Sequence, residues 1–256
     1  MSEWRIKKHP ILSIPKKKTI GFYWNKRRLE AYDGEVISSA LFANGIRVFG
    51  HHAKDRSAQG IFCANGQCAQ CMVMANGIPV KACMTKVEEN MVTESVEGLP
   101  RLPEAREDCH VTAIEEVETD VLIIVGGPAG LSAALELGER GIDTLIVDDK
   151  DRVGGKLVLQ THKFFGSIED CYAGTRGIDI AKILEENIQG YPCIKVWLNS
   201  TVMYVFSDKK VGIVTNNTQY RIVNPKVVLN AAGARERSLI FPGNTLPGVY
   251  GAGAFQ

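Results

Sequence analysis

Hydrophobic and polar positions follow one rhythm before residues 96–118 and another after them. In the first half, TIGFYWNKRRLEAY (19–32) reads as a strand, a turn near Asn25-Lys26 and a second strand. Asp33-Gly34 opens a helix with Val36, Ile37, Ala40 and Leu41 on one face, and Asn44-Gly45 stops it. MVMANGIPV (72–80) reads as two short strands about Asn76-Gly77, a dipeptide suited to a two-residue hairpin turn. A small, mostly antiparallel sheet crossed by one helix is the simplest assembly of these elements.

Residues 96–118 carry prolines and many acids without a long apolar period, and read as a connector packed on a surface. Beyond them strand and helix alternate. DVLIIV (120–125) is a buried-strand run, and Pro128 opens a helix with Leu131, Ala134, Leu135 and Gly138 on one face, ended by Gly141. IDTLIVD (142–148) is the next strand, and GIDIAKILEENI (177–188) a helix aligning Ile180, Ile183, Leu184 and Ile188. Strands around Lys195–Trp197, Val202–Phe206, Gly212–Thr215 and Val227–Asn230 follow. Strand–helix–strand order predicts a parallel, doubly wound sheet. The pattern thus divides the chain into an extension (1–18), a first domain (19–95), the connector (96–118) and a second domain (119–256).

Composition narrows the picture. Hydrophobic residues make up 45% of the 256 and charged residues 23%, the balance of a soluble folded chain. The net charge of +1 gives no global field toward nucleic acid or anionic lipid, and Lys7-Lys8, Lys16–Lys18 and Lys26–Arg28 read as solvated surface. No run approaches the ~18 apolar residues that a membrane span needs, and no secretory leader is visible. A cytoplasmic protein is the expectation.

CANGQCAQC (63–71) gathers three cysteines, and Cys83 follows. Iron–sulfur, structural zinc and disulfides compete for this loop. Seven cysteines without a secretory leader disfavour a disulfide framework. Zinc sites use paired Cys-x2–4-Cys knuckles, and only Cys68 and Cys71 form one here. Cys63, Cys68, Cys71 and Cys83 instead match the Cys-x4-Cys-x2-Cys…Cys spacing of plant-type 2Fe–2S ferredoxins. Gly60 and Gly66 let backbone N–H groups approach the sulfurs. Cys109, Cys171 and Cys193 are scattered and read as ordinary buried thiols.

VGGPAG (125–130) joins a strand to a helix, whose N-terminal N–H groups and positive dipole end favour a pyrophosphate. Asp148 ends the next strand, where an acid can bond a ribose hydroxyl. In Gly-x-Gly-x-x-Gly register, Gly127 and Gly130 are present, but Val125 holds the first place. If the turn keeps its usual backbone there, the strain is on the order of 1–3 kcal/mol; otherwise the turn shifts to use Gly126.

With both motifs in hand, residues 19–256 resemble the start of the alpha subunits of bacterial and archaeal amine and imino-acid oxidases. This family includes heterotetrameric sarcosine oxidase, dye-linked proline dehydrogenase and hydrogen cyanide synthase. The stretches that carry the resemblance are ALFANGIRVFG, GIFCANGQCAQCMV, VKACMT, GGPAGLSAALELGERG, VGGKL and NAAGARERSLIFPGNTLPGVYGAGAFQ. It implies an α+β, β-grasp ferredoxin-like domain with a 2Fe–2S cluster, then an α/β Rossmann-like FAD-binding domain of the disulfide-reductase type. It places the FAD pyrophosphate at Gly127, Pro128, Ala129 and Gly130, and the adenosine ribose at Asp148 with Asp149 beside it. Gly154, Gly155, Lys156 and Leu157 flank the cofactor, Val202 offers its backbone to the adenine, and Ala231, Ala232 and Gly233 pack against FAD. Family members continue past GAGAFQ to complete the FAD domain, so the second domain is expected to be partial, finished by further chain or by another polypeptide.

The resemblance implies an electron-transfer subunit of a heteromeric flavin-dependent amine or imino-acid dehydrogenase, with a catalytic or completing subunit as partner. Small-molecule amines or imino acids would be handled through the complex. Two other readings stand beside it: an NAD(P)H-dependent FAD/2Fe–2S reductase, for which no second nucleotide turn is visible, and a non-catalytic cluster-binding subunit, which Val125 favours. His51 and His52 read as surface histidines ahead of the cluster loop. His162 or Lys163, after GGKL, is a candidate acid–base residue. No catalytic residue is assigned.

Overall fold

A computed structural model describes residues 4–8, 10, 14, 16–102, 113–164, 166–216 and 218–255. The chain divides into two compact units, one from residues 1–108 with 235–256 and the other from 109–234.

In the first unit, β1 (Thr19–Trp24) and β2 (Arg27–Tyr32) form an antiparallel hairpin. Its turn residues Asn25 (φ 46°) and Lys26 (φ 69°) are both left-handed, the geometry that matches strand twist. Helix α1 (Ile37–Ala43) begins after Val36, which caps it rather than lying on its buried face as expected. Asp33-Gly34 belongs to the preceding turn, because Gly34 is left-handed (φ 80°). Two short strands, β3 (Gly50–His51) and β4 (Ala58–Gln59), precede the cysteine loop. The hairpin β5 (Met72–Ala75) and β6 (Ile78–Lys81) turns at Asn76 (φ 49°) and Gly77 (φ 81°).

The pattern did not foretell β7 (Val92–Glu97), the central strand of this sheet. It runs parallel to β1 and β3 and antiparallel to β5, so the sheet is mixed. Its buried positions include Thr93, a polar residue that donates its hydroxyl to the Tyr23 carbonyl, and that hides the strand from a hydrophobic reading. Helix α1 crosses this sheet, and Phe22, Ile37, Leu41, Phe49 and Val73 are fully buried between them. Truncating Phe22 or Phe49 to Ala would cost about 3–5 kcal/mol.

The second unit holds β8 (Glu115–Ile124), α2 (Pro128–Glu139), β9 (Thr144–Val147), α3 (Ile168–Cys171) and α4 (Gly177–Gln189). The strands β10 (Ile194–Trp197), β11 (Ser200–Val205), β12 (Val211–Thr215) and β13 (Gln219–Asn230) complete its sheet. The strand order is β10-β9-β8-β13-β12-β11. The first four strands are parallel, whereas β13, β12 and β11 form an antiparallel meander. The expected all-parallel sheet is therefore corrected, because short turns link the last three strands and no crossover helix fits between them. On one face Leu131, Ala134, Ile180, Leu184 and Ile188 from α2 and α4 pack on Ile123 and Ile146. On the other, Val211, Ile213 and Val223 of the meander cover Leu122, Leu145 and Val147. The sheet is wound by helices on one side and by strands on the other.

Helix α5 (Ala252–Phe255) belongs to the first unit, where Ala252 and Gly253 N–H groups donate to the Glu236 carboxylate. Cys109 lies outside the described residues. Cys171 is exposed and Cys193 half-buried, correcting the expectation of buried thiols: α3, which carries Cys171, buries none of its residues.

Candidate functional site

Two sites can be built from the residues upward. The first is the cysteine loop. It is irregular from Gly60 to Cys71, and Ala64 (φ 52°) and Gly66 (φ 80°) turn its backbone left-handed. The Asn65 carboxamide accepts the Gln67 N–H, tightening the loop. Backbone donors then point at sulfur: the Cys68 N–H lies 3.3 Å from Cys63 Sγ, and the N–H groups of Asn65 and Gln67 reach the same atom. Gln70 N–H faces Cys68, and Gly66 N–H faces Cys83. A loop that turns this many donors onto sulfur is built for thiolates.

The β5–β6 hairpin delivers the rest. Its open-end pair is Met72 with Lys81, so Cys71 and Cys83 leave the two strands side by side. The Ala82 N–H donates to the Cys71 carbonyl, and the Ala82 carbonyl accepts Ser38 N–H, tying this end to the start of α1. Cys63, Cys71 and Cys83 are buried and Cys68 half-buried. The thiols stand as two pairs. Cys63 and Cys68 share a hydrogen bond, as do Cys71 and Cys83. The bond from Cys83 brings Cys71 down to about 7 against burial, while bonding to Cys71 and burial push Cys83 up. Burial pushes Cys63 up, but its N–H donors more than reverse this and leave it lowered; burial raises Cys68. Among the described residues, no three His, Cys, Asp or Glu side chains gather for a single metal ion. Two pairs of thiolates are instead what a two-iron cluster takes, one pair to each iron, so the donor set fits that group.

The histidines ahead of the loop are placed differently from each other. His51 Nδ1 lies 3.0 Å from Glu97, on the surface. His52 Nε2 is 3.1 Å from Gln70 Oε1, in contact with the loop between Cys68 and Cys71. The sequence carried no signal for that second contact.

The second site lies where β8, β9 and β13 of the second unit end. Val125 donates its N–H to Val147 and sits left-handed at φ 78°. The turn has not shifted: a β-branched residue occupies the conformation a glycine would normally take. A Cβ on Gly130 would lie 2.2 Å from the Val125 carbonyl, so only glycine lets α2 approach the turn. Pro128 opens the 12-residue α2, leaving the N–H groups of its first turn for an outside acceptor. Gly154 (φ 107°) donates its N–H to the Gly126 carbonyl. A Cβ on Gly155 would come within 2.9 Å of Gly127 Cα, so two glycine segments stack directly. The Ala231 N–H donates to the Ile124 carbonyl, and Ala232 N–H to Asn230 Oδ1, setting Ala231, Ala232 and Gly233 (φ 69°) beside the same turn.

Asp148 is 1% exposed. Its two oxygens accept the Gly126 and Lys150 N–H groups, each at 2.9 Å. Burial raises its pKa against those two bonds. It braces the glycine turn as well as ending β9, a role that the sequence did not suggest. Asp149 is half-exposed and pairs with Lys150. Lys156 and Leu157 lie in a 3-10 turn over Gly155–Leu159, with Leu157 buried. Val202 is paired with Ile213 in the meander, next to a bulge. The His162 ring stacks on Phe164 with centroids 5.4 Å apart, and Lys163 bridges to Arg176 through the backbone.

Comparison with known proteins matches this geometry. Residues 17–98 match the family described as "2Fe-2S iron-sulfur cluster binding domain", and residues 119–254 match "Pyridine nucleotide-disulphide oxidoreductase". The second match covers more than half of the chain, which therefore belongs to the pyridine nucleotide-disulphide oxidoreductase family, with a 2Fe–2S domain ahead of its FAD-binding, Rossmann-like domain. Among its relatives are the hydrogen cyanide synthase subunit HcnB of Pseudomonas protegens, 33% identical over 136 residues (53% of this chain, 29% of HcnB). The sarcosine oxidase subunit alpha of Corynebacterium sp. is 26% identical over 245 residues (90% of this chain, 25% of the relative). L-proline dehydrogenase from P. horikoshii superposes with a TM-score of 0.72 at 26% identity, over 92% of this chain and 45% of that one. The resemblance read from the sequence holds. The chain spans only about a quarter to under half of the length of these proteins. Among the described residues, no helix is long and apolar enough to cross a membrane.

Proposed function

We propose that this protein is an electron-transfer subunit of a heteromeric flavin-dependent amine or imino-acid dehydrogenase or oxidase, working in the cytoplasm and joined there by a catalytic or completing subunit. The observation that carries the reading is the pair of thiol pairs under converging N–H groups, in one chain with a glycine turn opening a helix. When bound, FAD takes up electrons in pairs and a 2Fe–2S cluster passes them singly, so the two together can join a two-electron oxidation to a one-electron acceptor.

In this reading Cys63 with Cys68 holds one iron and Cys71 with Cys83 the other. Gly127, Pro128, Ala129 and Gly130 present the N-terminus of α2 to the FAD pyrophosphate. Asp148 has lone pairs left for the ribose, with Asp149 beside it. Gly154, Gly155, Lys156 and Leu157 line the cofactor, Val202 meets the adenine through its backbone, and Ala231, Ala232 and Gly233 close the far side.

Val125 supports a second reading, a cluster-binding subunit without flavin, because its left-handed backbone is strained in the turn that would hold the pyrophosphate. Visible and electron paramagnetic resonance spectra of the purified protein, with iron and flavin analysis, separate the two. The main proposal expects both sets of bands, and a reduced-cluster signal once the flavin is photoreduced. Cluster bands without flavin would establish the second reading for this chain. Anaerobic bleaching by NADH would point to a pyridine-nucleotide reductase, and absence of both cofactors would refute the proposal.

A further inference from the structure

Lys81 is the only charged residue between Gly60 and Cys83. It ends β6, two residues before Cys83. Its ammonium donates to the Gly66 carbonyl at 2.6 Å, reaching across from the hairpin to the middle of the cysteine loop. Gly66 is held from other sides as well. Its backbone is left-handed, and a Cβ there would meet Met84 Cγ and Sδ at 2.9 Å. The Lys81 carbonyl in turn accepts the Met84 and Thr85 N–H groups and the Thr85 hydroxyl, closing the turn that carries Cys83. One residue therefore touches both halves of the thiol set: its main chain shapes the Cys83 turn, and its side chain grips the loop between Cys63 and Cys68.

The grip also fixes where a positive charge sits. A free lysine side chain would spread its charge over a wide volume of solvent, whereas this one is tethered to the loop. Arg5, by contrast, is neutralised by two bonds to Glu35. We infer that Lys81 is a positioning residue that sets the reduction potential of the cluster held by Cys63, Cys68, Cys71 and Cys83, by holding a cation against the loop that wraps it. Reduction adds a negative charge to an already anionic group, so a tethered cation favours the reduced state. The inference rests on the cluster reading above and goes beyond it by naming a determinant outside the cysteines.

The test compares cluster-loaded wild-type protein with Lys81→Arg, Lys81→Gln and Lys81→Met. Midpoint potentials are measured by following the visible circular dichroism of the cluster, at low and high ionic strength. Gln keeps a donor for the Gly66 carbonyl without the charge, so if the Met variant loses the cluster the Gln value decides. The expected result is a shift to more negative potential in Gln and in Met, a value near wild type in Arg, and a smaller difference at high salt, since the ammonium is exposed. Gln and Met potentials equal to or above wild type would overturn the inference. A wild-type protein that binds no cluster would instead overturn the reading beneath it.

Discussion

Val125 offers the sharpest test of the glycine turn. Its φ of 78° is a conformation that L-residues avoid, at a cost of about 1–2 kcal/mol, and more for a β-branched side chain. Replacing it with Ala and with Gly separates the backbone from the side chain. Val125 is half-buried, so Val125→Ala loses partial burial of two methyl groups, about 1 kcal/mol, while keeping the Cβ. Going on to Gly removes that Cβ and relieves about 1–2 kcal/mol, against about 0.5–1 kcal/mol for the greater freedom of unfolded glycine. Val125→Gly should therefore be more stable than Val125→Ala by about 0.5–1 kcal/mol. At an ordinary position the order is reversed, with Ala more stable than Gly by a similar amount. Urea denaturation followed by far-ultraviolet circular dichroism resolves such a difference, and the melting temperature should differ by roughly 1–4 °C. If the Ala variant is the more stable of the two by the ordinary margin, the left-handed turn, and with it the strain argument, is refuted. Because the turn presents α2 to the pyrophosphate, the Gly variant should also retain FAD at least as well as wild type, measured by flavin released on denaturation.

Other substitutions probe the remaining contacts. Gly130→Ala sets a Cβ against the Val125 carbonyl; unfolding measurements should show a loss of about 3 kcal/mol or more, the upper end of overpacking, together with loss of flavin. Cys83→Ala removes the donor atom, leaves Cys71 without its partner and should abolish the cluster bands while the far-ultraviolet spectrum is kept; an intact cluster would exclude Cys83 as a ligand. Burial pushes the Glu35 carboxyl up, but hydrogen bonds from Arg5, the Tyr32 N–H and Ser39 outweigh it and leave it below the usual carboxylate range. A lowered carboxylate contributes stability above its unfolded value, and that contribution fades as pH falls through its folded value. Arg5→Met should thus cost about 1–3 kcal/mol near neutral pH, and urea titrations should show the gap closing as Glu35 protonates in acid; a gap independent of pH would discount the pair.

The parts legible in the sequence were those with local causes. Asn25-Lys26 and Asn76-Gly77 turn their hairpins as read, because Asn25, Asn76 and Gly77 are residue types that accept positive φ, with Lys26 drawn into the same region by the two-residue turn. The α2 and α4 faces follow the 3.6-residue period, with Leu131, Ala134, Ile180, Leu184 and Ile188 all buried. The cysteine spacing was legible because loop chemistry depends on nearby residues. What escaped was non-local. β7 sits at the sheet centre through pairing with β3 and β5 and with β1, the last some seventy residues away in sequence, and its buried Thr93 breaks the apolar pattern. The meander escaped because strand propensity does not encode direction. Asp148 was placed correctly at the end of β9, but its bond to Gly126 depends on how two strand ends meet.

The two sites share one physical device. Each uses left-handed backbone to turn successive N–H groups toward a position for negative charge: thiolate sulfur in the cysteine loop, and an outside anion at the start of α2. Glycine serves this at Gly66 and Gly154, where a Cβ would also strike a neighbour. The exceptions then carry information. Ala64 (φ 52°) lies in the loop at a modest cost that the neighbouring N–H···S bonds offset. Val125 bears the larger cost of a β-branched side chain, with its own N–H already committed to Val147. The cysteine loop is therefore organised by N–H donors aimed at its own sulfurs, whereas the Val125 turn, braced by Asp148 and Gly154, leaves the first N–H groups of α2 for an outside acceptor. This difference predicts that the cluster loop keeps its shape better than the flavin turn when both cofactors are removed, which amide hydrogen exchange at Gln67–Gln70 and at Gly126–Gly130 would measure directly. Faster exchange in the cysteine loop than in the turn would contradict it.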